Sequence, residues 1–150
     1  MKIKTIALVA HDNRKKDLIE WVKYNKGTLL KYKLVCTGTT GRLVEETLSE
    51  NNDNIDLDIT KLKSGPLGGD QQLGSLIAEE KIDMMIFLWD PMQPQPHDVD
   101  VKALLRISSL YNIPTACNRS TADFLISSPL LKFDYEKAKT DYSSYLDRKL

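Results

Sequence analysis

The chain has 150 residues, enough for one domain that buries roughly two-thirds of the surface of its unfolded form. Lys plus Arg and Asp plus Glu both total 21, and this zero formal net charge argues against a nucleic-acid binder that depends on broad counterion release. Without a leader pattern or a run near the roughly 20 apolar residues that span a membrane, we expect one domain over residues 1–150, located in the cytoplasm and not membrane-bound.

Short apolar runs alternate along the chain with stretches of helical periodicity. The predicted strands are 6–10, 32–36, 55–59, 82–89 and 114–117, and the predicted helices are about 13–26, from 43, 70–80, 98–111 and 120–127. Gly27 is expected to end the first helix, and the alternation at 55–59 indicates a strand near an edge. The repeated β-α order predicts a three-layer α/β fold, with a mainly parallel sheet and helices on both faces.

Ligands bind such sheets beyond the carboxyl ends of the strands. The segments that follow the five predicted strands are 11–15, 37–41, 64–70, 90–100 and 118–121. All five are rich in small, polar and ionisable residues, so we expect a binding site at this edge of the sheet.

The segment 64–72, Ser-Gly-Pro-Leu-Gly-Gly-Asp-Gln-Gln, is the most informative of these. Its glycines let backbone N–H groups approach a ligand, and its proline fixes the turn. The helical run that follows places Asp70 near a helix N-terminus. Such a carboxylate suits a catalytic base beside a phosphorylated substrate; the alternative is a helix N-cap, where aspartate is common.

The segment 37–41, Thr-Gly-Thr-Thr-Gly, offers hydroxyl and N–H groups at the start of a helix, where the helix dipole favours phosphate. The alternative is an ordinary N-cap followed by a glycine turn. Lys15 would add a positive charge to such a phosphate site, or else be a solvated surface lysine.

Both histidines and several aspartates have two interpretations. His11 is either a site residue or a packed histidine at a strand end, and His97 either acts on a ligand or caps the next helix. Asp90 is either a turn aspartate before proline or a group that points into the cleft. Asp100 either interacts with the helix dipole or orients His97.

The sequence has no pattern typical of a metal or redox site. Cys36 and Cys117 form no CxxC pair, and the two histidines lie outside any zinc motif. We therefore expect both cysteines to be buried thiols in a reducing compartment, and we expect no metal.

Together, these segments resemble those of methylglyoxal synthases, lyases that convert dihydroxyacetone phosphate to methylglyoxal and inorganic phosphate. The matching stretches are 7–12 with Lys15, 37–41, 64–72, 87–91, 96–106 and 121–124, in order through about residues 6–128; the tail resembles the family only at 141–148. A related fold serves as the nucleotide-binding regulatory domain of carbamoyl phosphate synthetase, which has no need for segments 68–72 and 96–100 together.

The resemblance implies a role for each candidate catalytic residue. Asp70 corresponds to the base that removes a proton beside the carbonyl, which gives an ene-diolate. His97 corresponds to the imidazole that polarises the carbonyl oxygen, as a neutral histidine does in triosephosphate isomerase. Asp90 and Asp100 would hold that imidazole and its neighbours, and His11 would lie beside the substrate.

The resemblance also implies the ligands of the phosphorylated substrate. The implied phosphate site comprises Lys15, Thr37, Gly38, Thr39, Thr40 and Ser64. Gly65 would present its N–H near the reacting carbons, and Arg148 would reach the phosphate of a neighbouring subunit. The family implies a homohexamer inhibited by inorganic phosphate, its product, and a reaction without a cofactor.

Two other functions remain open: a regulatory module that binds a nucleotide, and an isomerase that retains the phosphate. An isomerase closes a loop over its intermediate. The longest candidate lid here, residues 90–97, contains three prolines, so we expect elimination of phosphate.

Overall fold

The computed structural model describes residues 2–51, 54–92 and 98–149. Within these ranges one parallel sheet is formed by β1 (Thr5–Ala10), β2 (Lys33–Thr37), β3 (Ile59–Leu62), β4 (Met84–Leu88) and β5 (Thr115–Ala116). Their spatial order is β3-β2-β1-β4-β5, so the chain moves outward from β1 to one edge and then returns to its other side.

Helices connect the strands. They are α1 (Lys15–Tyr24), α2 (Lys26–Leu29), α3 (Gly38–Ser49), α4 (Gly69–Ala78), α5 (Asp98–Leu110), α6 (Arg119–Ser127) and α7 (Ser143–Leu146). Short 3-10 turns lie at Asp12–Arg14, Gly65–Leu67 and Pro129–Lys132. Two of these turns immediately precede α1 and α4, at the carboxyl edge of the sheet.

Both faces of the sheet are covered, because alternate residues of a strand point to opposite sides. Ile6 and Leu8 of β1 belong to one core cluster with residues of α1, α3 and α6. Ala7 and Val9 belong to a second cluster with residues of α4 and α5. The predicted three-layer α/β fold is thereby confirmed.

Three local predictions of secondary structure were wrong. α3 begins at Gly38 and not at residue 43, because the segment 37–41 forms its N-cap and first turn. β3 begins at Ile59, because its pairing with Leu34–Thr37 of β2 extends from Ile59 to Leu62, and residues 55–58 lie outside it. Its position at an edge of the sheet is as predicted. Gly27 does not end the first helix: α1 ends at Tyr24, and Gly27 lies within α2.

The two cysteines differ in burial. Cys36 of β2 is fully buried, as predicted, and burial raises the pKa of its thiol to about 12. Cys117 is only partly buried, contrary to the prediction, although burial again raises the pKa of its thiol. None of the helices within the described ranges has the length and apolar character needed to cross a membrane.

Candidate active site

A cavity of about 460 Å³ lies at the carboxyl ends of β1, β2 and β3. Its lining comprises Val9, Ala10, His11, Asp12, Asn13, Lys15, Thr37, Gly38, Thr39, Thr40, Ser64, Gly65, Pro66 and Asp70. Three of the five polar segments predicted from the sequence therefore meet in one place. The location follows the general rule that open parallel sheets bind ligands beyond the carboxyl ends of their strands.

The start of α3 forms one wall of the cavity. Thr37 is the N-cap residue, but its side chain makes no capping hydrogen bond, which argues against the simple capping alternative. Gly38 has a φ of +50°, and a Cβ built there would lie 2.8 Å from the Cα of Ser64. The Gly38 N–H also donates to the Lys63 carbonyl at 3.1 Å, so the second and third loops are in direct contact.

Lys15 is the cationic group of the cavity among the described lining residues. Its side chain is 20% exposed, and its ammonium lies 2.5 Å from the carboxylate of Asp12, which is 95% exposed. Lys15 is therefore a partly buried residue of the cavity wall, which favours the phosphate-site interpretation over a solvated surface lysine. Because an exposed ion pair is weak, a phosphate dianion in the cavity could compete with Asp12 for this ammonium.

Asp70 is buried, with 5% of its surface exposed. The N-cap of α4 is Gly68, with a φ of +110°, so Asp70 is the second helical residue and the N-cap interpretation is wrong. A Cβ at Gly69 would lie 1.9 Å from the Lys63 carbonyl oxygen, so only glycine fits there. These glycines let α4 start against the end of β3, and this start places the Asp70 carboxylate in the cavity wall.

The two glutamines after Asp70 brace the loop from outside. The Lys63 N–H donates to Oε1 of Gln72 at 2.9 Å, which ties the end of β3 to α4. Nε2 of Gln71 donates to Oδ1 of Asp100 at 2.7 Å, which ties α4 to the first turn of α5.

Asp100 lines a separate groove of about 240 Å³ between α4 and α5, not the larger cavity. Asp70 lines both spaces, so the first turn of α4 separates them. The groove also exposes residues of the middle of α5, including Arg106. His97, whose imidazole Asp100 was expected to orient, lies outside the described residues.

His11 and Asp90 are joined through the Asp90 main chain, whose N–H donates to Nδ1 of His11 at 3.2 Å. The His11 ring also packs edge-on against Phe87, with ring centroids 5.6 Å apart. His11 thus has both properties that the sequence offered as alternatives: it is packed at a strand end and it lines the cavity. Asp90 is 7% exposed and adjoins the cavity through His11.

Arg148 and the segment after β5 lie apart from the cavity lining. The Arg148 guanidinium stacks on Tyr145, 3.6 Å from the ring centroid, and donates to the Tyr145 carbonyl. Oδ1 of Asn118 accepts from the Thr121 N–H and so caps α6, while Arg119 pairs with Glu20 of α1. The expectation that all five loops share one site is therefore wrong for the fifth loop.

Asp12 and Asn13 line the cavity but were not singled out from the sequence. The sequence feature that could have identified them is their position in the polar segment directly after β1.

Within the described ranges, no three His, Cys, Asp or Glu side chains are grouped as metal ligands. The cavity combines one buried carboxylate, one ammonium, threonine hydroxyls and a helix N-terminus, which suits an anionic substrate that loses a proton.

Comparison with known proteins relates the chain to one enzyme family. A family model described as an MGS-like domain matches residues 17–117. The methylglyoxal synthase of Maridesulfovibrio salexigens is 57% identical to this chain over 155 aligned positions. That of Coxiella burnetii is 51% identical over 148 aligned positions. Each alignment covers 99% of this chain and 99% of the relative. The crystal structure of methylglyoxal synthase from Elizabethkingia anophelis NUHP1 superposes with a TM-score of 0.88 and 51% identity, covering 99% of this chain and 93% of that one.

Proposed function

Because this chain belongs to the methylglyoxal synthase family of lyases, we propose that it converts dihydroxyacetone phosphate to methylglyoxal and inorganic phosphate. The observation that carries the proposal is the cavity shared by a buried carboxylate, Asp70, and by an ammonium, threonine hydroxyls and a helix N-terminus that suit a phosphate. A base and an anion site that share one cavity are what this reaction requires.

The proposed chemistry begins with Asp70. Its carboxylate takes a proton from the hydroxymethyl carbon beside the carbonyl, and the electrons of the broken C–H bond form an ene-diolate. Those electrons then expel phosphate, which leaves with the electron pair of its C–O bond. As phosphate leaves, the terminal hydroxyl of the ene-diolate gives up its proton and its carbon becomes the aldehyde. The resulting enol gains a proton on carbon and loses its remaining hydroxyl proton, which gives methylglyoxal.

The carbonyl oxygen needs a hydrogen-bond donor as its negative charge develops. We assign this role to the His97 imidazole, supported by Asp100 and Asp90, as the family resemblance implies. His11 is a second donor: because its Nδ1 accepts the Asp90 N–H, the neutral ring carries its proton on Nε2. The Gly65 N–H lies in the same loop as Asp70 and is assigned to the reacting carbons.

The phosphate is assigned to the Lys15 ammonium and to the start of α3. The ligands there are Thr37, Gly38, Thr39 and Thr40, with Ser64 from the adjoining loop. Thr37 and Thr40 are 5% and 1% exposed, so these ligands are largely fixed before substrate binds. A dianion placed at the start of α3 would gain from the N–H groups and dipole of that helix.

Elimination is favoured when the C–O bond to phosphate is perpendicular to the ene-diolate plane, because it then overlaps the π electrons. We propose that the six phosphate ligands named above, which we call the phosphate cradle, hold the phosphate in that orientation. Ser64 lies in the loop that leads into α4, of which Asp70 is the second residue. This loop contains Pro66 and is bridged by the hydrogen bond from the Lys63 N–H to Gln72. A stiff loop fixes the phosphate and the base relative to each other.

The remaining assignments concern the assembly. We propose a single domain over residues 1–150 that forms homohexamers in the cytoplasm, with Arg148 directed to the phosphate of a neighbouring subunit.

Inorganic phosphate, the product, would bind the same cradle and inhibit the enzyme. The reaction needs no cofactor, because proton transfer and phosphate loss balance its atoms and electrons.

NMR of dihydroxyacetone phosphate incubated with the purified protein tests the proposal. We expect methylglyoxal and phosphate in equal amounts, with almost no glyceraldehyde 3-phosphate. Isomer as the main product would overturn both the assigned reaction and the orientation of the phosphate. Ligand binding without turnover would instead support a regulatory module.

A further inference from the structure

The buried Asp90 carboxylate is held at both of its oxygens. Oδ1 accepts from the Met92 N–H at 2.9 Å, and Oδ2 accepts from Nδ2 of Asn13 at 2.9 Å. Burial of a carboxylate is costly unless such donors satisfy it. An ionised carboxylate can only accept hydrogen bonds, so the Asn13 side chain must direct its amide nitrogen toward Asp90. This requirement fixes the orientation of the Asn13 amide group.

The bond between Asn13 and Asp90 joins segments that are 77 residues apart in the chain. Asn13 lies in the 3-10 turn after β1, and Asp90 follows β4. β1 and β4 are neighbours with Ala10 opposite Leu88, so their carboxyl ends leave the sheet side by side. The Asn13 side chain therefore links two loops at the rim of the cavity.

The same aspartate holds His11 through its main chain, since the Asp90 N–H donates to Nδ1 of that ring. The length and angle of this 3.2 Å hydrogen bond depend on the position of the Asp90 backbone, so a shift of that backbone would weaken it. The bond matters because it selects the ring tautomer with hydrogen on Nε2.

We propose that Asn13 is a positioning residue of this site. Its amide fixes the Asp90 carboxylate, and the fixed Asp90 main chain holds the His11 imidazole in the Nε2–H tautomer. Its effect on turnover rests on the proposed function, whereas its effect on His11 does not.

The kinetic test is a double-mutant cycle of Asn13→Ala and Asp90→Ala. Asn13→Ala should lower kcat about tenfold, with KM changed less than about threefold, because the substrate's phosphate ligands stay in place. In the Asp90→Ala background the same change should have almost no further effect, since Asn13 acts through that carboxylate. Additive losses in the double variant would overturn the proposal.

Asn25→Ala is the matched control at the other end of α1. The Asn25 amide also donates a 2.9 Å hydrogen bond, to the Trp21 carbonyl, and Asn25 does not line the cavity. We expect this variant to keep its kcat. Asn13→Asp is a second variant of similar size that replaces the donor by a second carboxylate, and its loss of kcat should equal or exceed that of Asn13→Ala.

The structural test needs no turnover. The chain has two histidines, so ¹⁵N-histidine NMR at pH 8 resolves both rings, and His97→Gln assigns them. We expect His11 in the wild type to have hydrogen on Nε2, and Asn13→Ala to shift it toward a mixture of tautomers. Unchanged His11 nitrogen shifts in Asn13→Ala would overturn the proposal, even if the protein proved not to be a methylglyoxal synthase.

Discussion

The carboxylate of Asp70 lies directly against the main chain of Gly65. A Cβ built at residue 65 would lie 3.0 Å from both carboxylate oxygens and 3.2 Å from the Cγ of Asp70. Such contacts are tighter than ordinary van der Waals separations, so the missing side chain at Gly65 is what leaves room for the proposed base. The position of the base therefore depends on a residue outside its own helix.

Gly65→Ala should separate activity from stability. The added methyl group would displace the Asp70 carboxylate by a few tenths of an ångström, which we expect to lower kcat by about tenfold or more, because proton transfer depends on close geometry. The positive-φ glycines of the described chain are Gly38 and Gly68, so alanine fits the backbone at 65, and the lower entropy of the unfolded chain offsets part of the cost of the tight contact with Asp70. We therefore expect stability to change by less than about 1 kcal/mol. Steady-state kinetics and a thermal melt would show this. An unchanged kcat would argue that the Asp70 carboxylate is not the base.

Asp70→Asn should keep the fold and the binding of a phosphorylated analogue, but lose turnover by several orders of magnitude. The amide is nearly isosteric with the carboxylate but cannot accept the proton. Asp98→Asn is the matched control, since Asp98 is in the first turn of α5 and exposed. Turnover within about tenfold of the wild type in Asp70→Asn would mean that another acid is the base.

Lys15→Ala should raise KM and weaken inhibition by free phosphate, because the ammonium attracts a dianion present both before and after proton removal. A smaller fall in kcat is expected, since the same charge stabilises the leaving phosphate. Lys16→Ala, at the exposed neighbouring lysine, is the control and should change neither KM nor the inhibition by phosphate. Initial rates with and without phosphate measure both quantities, and an unchanged phosphate response in Lys15→Ala would contradict the assigned cradle.

Cys36 should make the fold sensitive to alkaline pH. Burial raises the pKa of this thiol from an ordinary value near 9 to about 12, so above pH 9 the unfolded chain loses a proton that the folded protein keeps. The free energy of unfolding then falls as pH rises from 9 to 12, by about 1.4 kcal/mol per pH unit from this group.

Urea unfolding at pH 8 and pH 10.5, under reducing conditions, measures this effect. The wild type should lose about 2 kcal/mol more than Cys36→Ala over this interval. Tyr32, whose pKa burial also raises, is present in both proteins and cancels in the comparison. Equal losses in the two proteins would show that the buried thiol does not control alkaline stability.

The sequence by itself determined the fold class, because its signals are local. The apolar run in β1 indicated a strand covered on both faces, and the structure places Ile6 and Ala7 in opposite cores. The alternation at 55–59 correctly indicated an edge strand but not its limits, since pairing with β2 sets where β3 starts. The glycine-rich segment 64–72 likewise marked a loop before a helix, but not that Gly68 would cap it in place of Asp70.

Only the tertiary structure decided which loops meet. The polar segments after all five predicted strands look alike in sequence, yet among the residues that the structure describes only three of them line the cavity. In the segment after β5, Asn118 caps α6 and Arg119 forms an ion pair with Glu20. Strand order determines this difference: β1 lies between β2 and β4, which brings Asn13 to Asp90. That order is set by the packing of two hydrophobic cores across the whole sheet, and no local stretch of sequence contains it.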